Sequence, residues 1–505
     1  MKYLPFFITA ALCLLFLFFQ CGENQSPNDG EALAKANCTP CHAYPSPELL
    51  DRATWQKYIL PRMGVLSGVL PIDSAGTAFI EPAALATALQ NPNVMRKETP
   101  LSRTEWVAIC DFYLKNAPPR LEPTNVDIDQ QLPLFEAKFP GHFLSPPSSV
   151  MVTIEKGSLF LGDVHSGRLY HFDEKLELES MAPVPGGAVC LNHIPEGDIV
   201  TSLGSFSPTD RPTGQVFFLP KAPGSQPVML LDSLRRPVHT EVADLDGDGR
   251  FDLVTCEFAK WTGCLSWWKN DGKGRFEKHV LRNMPGAIRS YARDLNGDGL
   301  TDLIALFGQG DEGIFAFYNK GDGVFSEERL LRFPPSYGSS FFTLFDYNGD
   351  GHDDIIYTCG DNADFPPIAK PYHGIRIYQN DGNQHFEEVF FYHLQGAYGA
   401  IPADFDLDGD LDIAAISFFP DFENRPEAGF VFLENDGHNT FSARTFPAVG
   451  KGRWIVMDAG DLDADGDLDL VLGSLAFEVV PDKKGWIKQW ARDGIPFVLL
   501  ENKAR

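Results

Sequence analysis

Apolar residues follow three different patterns along this chain. From Leu4 to Phe19 they run almost unbroken, behind Lys2 and ahead of a polar stretch that follows Cys21. A positive start, an apolar run short for a stable membrane span and a polar sequel form the pattern of an export signal. From about residue 30 to 117 the apolar positions take a helical spacing, so that GEALAKANC, LDRATWQKYIL, EPAALATALQN and LSRTEWVAICDFYLKNAPP each predict a helix. Ser102 with Glu105 three residues on is a capping-box pattern that opens the last of these, and Pro118-Pro119 ends it.

Beyond PPRLEPT, which reads as a linker, the period changes. Short Val/Ile/Phe/Leu runs alternate with Gly and Asn-Asp-Gly turns, the signature of strands. A repeat emerges here: ADLDGDGRFDLV, RDLNGDGLTDLI, FDYNGDGHDDII, ADFDLDGDLDIA and GDLDADGDLDLV begin their acidic turns at Asp244, Asp294, Asp346, Asp404 and Asp461. Between them a second phrase returns, as in SWWKNDGKGRFEKHVL and FLENDGHNTFSARTF. A unit of about 50 residues with four strands has the length of a propeller blade. Two weaker units without the acids precede these five, which predicts seven blades, with six or eight as alternatives. The last unit stops on its third strand at PFVLLENKAR, and LPLFEAKFP (Leu132 to Pro140) is a spare strand able to fill the gap. Closing the ring this way removes an exposed sheet edge.

The expected fold class is therefore multidomain, a small all-α domain followed by an all-β seven-bladed propeller. Its boundaries are a leader over 1–21, a tether over 22–29, a helical domain over 30–117, a linker over 118–131 and the propeller over 132–505.

The chain has 505 residues, a formal net charge of −27 and a pI near 4.8. That balance argues against nucleic acid and against electrostatic docking on anionic lipid. Most of the interest lies in where the carboxylates sit. Each acidic turn follows D-x-[DN]-x-D-G-x-x-D, placing oxygens at alternate positions around a sharp reversal, as Ca²⁺ requires. The predicted ligands are Asp244, Asp246, Asp248, Asp252 and the carbonyl of Arg250; Asp294, Asn296, Asp298, Asp302 and the carbonyl of Leu300; and Asp346, Asn348, Asp350, Asp354 and that of His352. The last two turns offer Asp404, Asp406, Asp408, Asp412 with Asp410, and Asp461, Asp463, Asp465, Asp469 with Asp467. Up to five Ca²⁺ would relieve the repulsion among these acids. A single such turn reads equally as a solvated Asp/Gly loop; five at blade spacing do not. They resemble the FG-GAP/VCBS repeats of integrin-α-type propellers, in which calcium loops join the first two strands of a blade and serve a structural purpose.

A different chemistry is written in CTPCH, Cys38 to His42. Structural zinc needs a second pair of ligands, and a redox Cys-x-x-Cys a βαβ setting; the helical region supplies neither. Covalent haem needs two thiols and an adjacent histidine on one helical turn, and these are present. With its flanking helices, residues 30–117 resemble a small class I cytochrome c. The resemblance implies one covalently attached haem c, with thioethers on Cys38 and Cys41 and His42 as proximal ligand. Met63, 21 residues after His42, is the expected distal ligand and Met95 its rival; core packing is the alternative role of either. Cys21, at the junction of apolar and polar residues, resembles the lipidated cysteine of a bacterial lipoprotein, although Phe18-Phe19-Gln20 replaces the usual small residues. Of the other cysteines, Cys256 and Cys264 flank a predicted hairpin and are expected to bridge it.

These features predict a protein exported in a bacterium and lipid-anchored at the outer membrane. Its partners would be a redox protein and, through Cys21, the membrane. The leading function is electron transfer by a c-type cytochrome, with the propeller docking a partner or ligand. The alternatives are a haem-linked dehydrogenase and an adhesion propeller with an accessory haem. For the dehydrogenase, His193, His239, Arg289, Tyr398 and Arg453 are expected on the face opposite the acidic turns, converging on the central channel. No dinucleotide fingerprint, quinone signature or catalytic triad accompanies them.

Overall fold

The computed structural model describes residues 29–71, 91, 94, 101–155, 157–222, 224–363, 367–477 and 482–505. The leader, Cys21, Met95 and residues 81–90 of the EPAALATALQN segment lie outside the described residues.

Seven four-stranded antiparallel sheets form a seven-bladed β-propeller. The inner strands are Ser149–Glu155, Ala188–Ile194, Pro237–Ala243, Ala287–Arg293, Ser339–Phe345, Ala397–Ala403 and Trp454–Gly460. In the third to seventh blades the acidic turn leads from the inner strand into a second strand buried at every residue: Asp252–Glu257, Asp302–Phe307, Asp354–Cys359, Asp412–Ser417 and Asp469–Ser474. Each is covered by a neighbouring blade on both faces, so its sequence is a continuous apolar run without alternation. Outer strands such as Phe276–Arg282 are half-buried to exposed and mix charge with apolar residues.

The spare strand closes the ring. Phe135–Lys138 pairs antiparallel with Phe497–Asn502, so the seventh blade takes three strands from the C-terminal end and one from before the first blade. Around the channel, the fifth residue of several inner strands bonds to the next blade. Asn192 donates to the Thr240 carbonyl (2.8 Å), Tyr291 to that of Phe342 (3.3 Å), and Glu241 and Asp458 accept from the N–H groups of Ala292 (3.3 Å) and Ile154 (2.9 Å). The last of these joins the seventh blade to the first.

The N-terminal unit is built on α1 (Gly30–Cys38), a helical run over Arg52–Thr54 and Trp55–Ile59 that continues as α2 (Leu60–Leu66), and α3 (Arg103–Asn116). The capping box of Ser102 and Glu105 is formed, and α3 ends at Ala117, before the prolines. Helices α1 and α3 touch at Gly30, where a Cβ would stand 2.3 Å from the Ala108 carbonyl oxygen. Trp55 and Tyr113, with ring centroids 4.4 Å apart, fill the core beneath them. No described helix is long and apolar enough to cross a membrane.

This unit sits on the propeller face opposite the acidic turns. Arg332 donates to the Thr39 carbonyl (3.0 Å), Tyr372 to that of Leu49 (2.8 Å) and Asn91 to that of Asn283 (2.9 Å), while Ile368 packs against its core.

The hairpin disulfide does not form. Cys256 stands opposite Leu265 and Cys264 opposite Glu257, an offset of one residue that sends the two thiols to opposite faces of the sheet.

Candidate functional site

The acidic turns share one construction. The first aspartate of the first turn caps two backbone groups, Oδ1 of Asp244 accepting from Gly247 and Oδ2 from Gly249, both at 2.8 Å. Asp294 and Asp346 repeat both contacts. The fifth-position aspartates Asp248, Asp298, Asp350, Asp408 and Asp465 accept from the N–H of the seventh residue, that of Arg250, Leu300, His352, Asp410 and Asp467 respectively. This folding gathers oxygens. Carboxylates of Asp244, Asp246 and Asp252 lie within 4.8 Å of one another, as do those of Asp404, Asp406 and Asp408 and of Asp461, Asp463 and Asp465. In the second and third turns Asn296 and Asn348 stand at the third position and donate to Asp298 and Asp350 (3.0 and 2.8 Å), so fewer acids crowd together. In the first turn basic residues already oppose the acids: Lys269 pairs with Asp246 (2.6 Å) and Arg250 with Asp248.

The ninth-position aspartates serve a second purpose. Asp252, Asp302, Asp354, Asp412 and Asp469 are buried, and each accepts from the N–H of an asparagine at the end of the third strand: Asn270 (2.8 Å), Asn319 (2.7 Å), Asn380 (2.7 Å), Asn435 (2.9 Å) and Asn502 (2.9 Å). Burial holds all five carboxyls above their usual range, Asp469 at about 6 and Asp412 at about 7, with neighbouring aspartates adding to the rise. Sequence reading missed these asparagines as partners, although each stands in a recurring phrase (KNDG, YNKG, QNDG, ENDG, ENKA). The signal was present as spacing and was read only as a turn.

The CTPCH segment forms a helical turn at the end of α1, with the N–H groups of Cys41 and His42 bonded to the Cys38 carbonyl at 3.1 and 3.3 Å. Both thiols are half-buried and outside any disulfide. His42 Nδ1 lies 2.8 Å from the Ala43 carbonyl oxygen. A carbonyl only accepts, so Nδ1 carries the proton and Nε2 keeps its lone pair. Burial lowers the His42 pKa and favours the neutral ring, against the pull of that hydrogen bond. Two thiols and a neutral imidazole in this tautomer fit covalent haem. Met63, on α2, packs against the same core as Cys38.

The five polar residues expected around the channel do not converge. His193 lies inside its inner strand, which begins at Ala188, near the end that leads to the turn face and not in the loop entering the strand, and it pairs with Asp198 at 2.8 Å. His239 and Arg289 stand third in adjacent inner strands, and the arginine charge adds to the burial that holds His239 neutral. Tyr398 and Arg453 belong to a separate aromatic group with Phe418 and Phe419.

Fold and turns together define a seven-bladed propeller that carries FG-GAP repeats. The FG-GAP-like repeat family matches residues 244–305 and 294–357, spanning the first three acidic turns. No curated protein matches the chain. Among solved structures, BBS1N in complex with ARL6DN aligns at 9% identity and TM-score 0.46, covering 73% of this chain and 96% of that one. Saccharomyces cerevisiae Sqt1 aligns at 7% identity and TM-score 0.43, over 72% and 97% of the two chains. An ancestral GH74 enzyme aligns at 10% identity and TM-score 0.46, over 72% of this chain and 51% of its own. The blade count rests on this chain's own strand pairing.

Proposed function

We propose that this protein is an exported, lipid-anchored c-type cytochrome that transfers electrons, with a calcium-stabilised propeller as the platform on which its haem unit is held for a partner. The observation that carries the reading is the CTPCH turn: two thiols outside any disulfide beside an imidazole whose Nδ1–H is committed to Ala43. Haem attached there supplies one-electron chemistry at its iron. Cys38 and Cys41 would hold it, His42 would present Nε2 to it, and Met63 is the residue favoured to complete its set of protein ligands.

The propeller contributes position. Arg332 grips the carbonyl of Thr39, between the two cysteines, and is itself held by Asp311 at 2.8 Å. Asp311 also binds Arg329 (2.7 Å) and Arg282 (3.3 Å), so a charged cluster of the third and fourth blades braces the CTPCH turn. Calcium in the acidic turns would rigidify the opposite face. Lipid on Cys21 would tether the assembly to the outer membrane.

The test is to express the full chain in a bacterium that matures c-type cytochromes and to titrate the purified protein between its reduced and oxidised forms. A single one-electron wave with the pyridine haemochrome spectrum of haem c supports the reading. Protein that matures normally and carries no haem refutes it.

A further inference from the structure

Thr39 is the C-cap of α1. Carbonyls at a helix C-terminus lack donors within the helix and carry the negative end of its dipole. The donor for this one comes from the propeller. Arg332, the last residue of the outer strand Phe325–Arg332 in the fourth blade, donates from Nη2 to the Thr39 carbonyl at 3.0 Å. Behind it Asp311 receives Nε of Arg332 (2.8 Å), Nη2 of Arg329 (2.7 Å) and Nη2 of Arg282 (3.3 Å). Arg282 also pairs with Glu327 and lies over the Phe315 ring, 3.8 Å from its centroid.

Three arginines against two carboxylates leave this cluster positive, in a chain whose formal net charge is −27. Two of its members act on the imidazole of the CTPCH turn. Burial is the main cause of the lowered His42 pKa; the Arg332 charge lowers it further, while Asp311, more weakly, raises it. The Arg332 and Asp311 side chains are 25% and 8% exposed, so water and salt screen them less than charges at the open surface. Docking alone does not call for a cation here, because Tyr372 holds the Leu49 carbonyl of the same unit through a neutral hydroxyl at 2.8 Å.

We infer that Arg332 raises the reduction potential of the helical unit, with Asp311 as the opposing charge that limits the rise. This rests on the haem reading above. Reduction there takes up one electron and removes one unit of positive charge, and no bond forms or breaks. A fixed cation beside the CTPCH turn therefore favours the reduced form, and an anion the oxidised form. The propeller thereby tunes the unit it carries as well as seating it.

Spectroelectrochemical titration of the full-length holoprotein tests this, with intact mass checking for one haem in each variant. Arg332→Gln should lower the equilibrium constant for one-electron reduction about threefold to tenfold, roughly 30 to 60 mV at about 59 mV per tenfold. Arg332→Lys keeps the charge and should recover most of that loss. Asp311→Asn removes the opposing charge and should shift the potential upwards. Simple loosening of the unit, which admits water, would instead lower it in both Arg332→Gln and Asp311→Asn. Tyr372→Phe breaks the other clamp without changing charge and should leave the potential in place. Together with the two Arg332 variants it decides the matter should Asp311→Asn misfold. An unmoved potential in Arg332→Gln, an equal fall in Arg332→Lys or in Tyr372→Phe, or a fall in Asp311→Asn would each overturn this inference and leave the haem reading standing. Mature wild type without haem would refute that reading and this inference with it.

Discussion

Asp302 and Asn319 are bound to each other across the fourth blade: Oδ1 of the aspartate accepts the asparagine's backbone N–H at 2.7 Å. Its Oδ2 accepts from Leu295 (3.1 Å), and the Asn319 amide donates to the carbonyls of Thr301 (3.1 Å) and, in the preceding blade, Leu245 (2.8 Å). Asn502 reaches back to Phe405 in the same way (2.8 Å). The pair ties acidic turn, third strand and neighbouring blade into one buried network. Asp302→Ala leaves one buried and one half-buried N–H without their acceptor and should cost about 2–5 kcal/mol in urea unfolding, more than Asn319→Ala. A loss below about 0.5 kcal/mol, typical of surface substitutions, would show the network to be dispensable.

The fourth residue of each acidic turn is left-handed. Glycine fills it at Gly247, Gly297 and Gly349 (φ 72 to 73°), but Leu407 (φ 63°) and Ala464 (φ 62°) carry a Cβ there. Side chains disfavour that region by roughly 1–2 kcal/mol. Ala464→Gly should stabilise the propeller by about 1 kcal/mol, net of the entropy glycine adds to the unfolded chain. A destabilised variant would mean that the Ala464 methyl contributes more than the strain it incurs.

Glu312 is buried, accepts from Ser339 N (2.9 Å) and Oγ (2.7 Å), and is raised by burial to about 8. The folded state therefore binds this proton more tightly than the unfolded state. Its stabilising contribution is full below the ordinary glutamate pKa and is lost as pH rises towards 8, at up to about 1.4 kcal/mol per pH unit. The stability difference between wild type and Glu312→Gln should shift in that direction between pH 5 and about 8. A difference constant with pH would contradict it.

Calcium should matter thermodynamically. A ligand bound only by the folded state adds about 2.7 kcal/mol at a hundredfold excess over its Kd, and several weak sites sum to a large share of net stability. EDTA should lower the propeller's melting temperature and calcium restore it. Metal analysis should find one bound calcium fewer in Asp404→Ala or Asp463→Ala, two of the clustered acids. An unchanged melting curve and no copurifying calcium would make the turns solvated loops.

Much of this architecture was legible in the sequence because blades repeat: Asp at fixed offsets, Gly where the chain reverses, and a truncated last unit that called for Phe135–Lys138. What escaped was what depends on register and long-range contact. Cys256 and Cys264 are close in sequence, yet a one-residue offset separates their thiols. Arg453 read as a channel residue, but Phe418, Phe422 and the helix Trp486–Asp493 enclose it, and these are inserted between strands where the repeat gives no guide. The seat of the helical unit at Arg332 and Tyr372 joins residues about 300 apart in the chain, beyond any periodicity.

The most direct test of the account is the intact mass of the denatured full chain after expression with c-type haem maturation. The mature wild type should carry the added mass of one haem through denaturation, and Cys38→Ala/Cys41→Ala should lose it completely. Mature protein of unmodified mass, or haem that washes out on denaturation, would contradict the account at its centre.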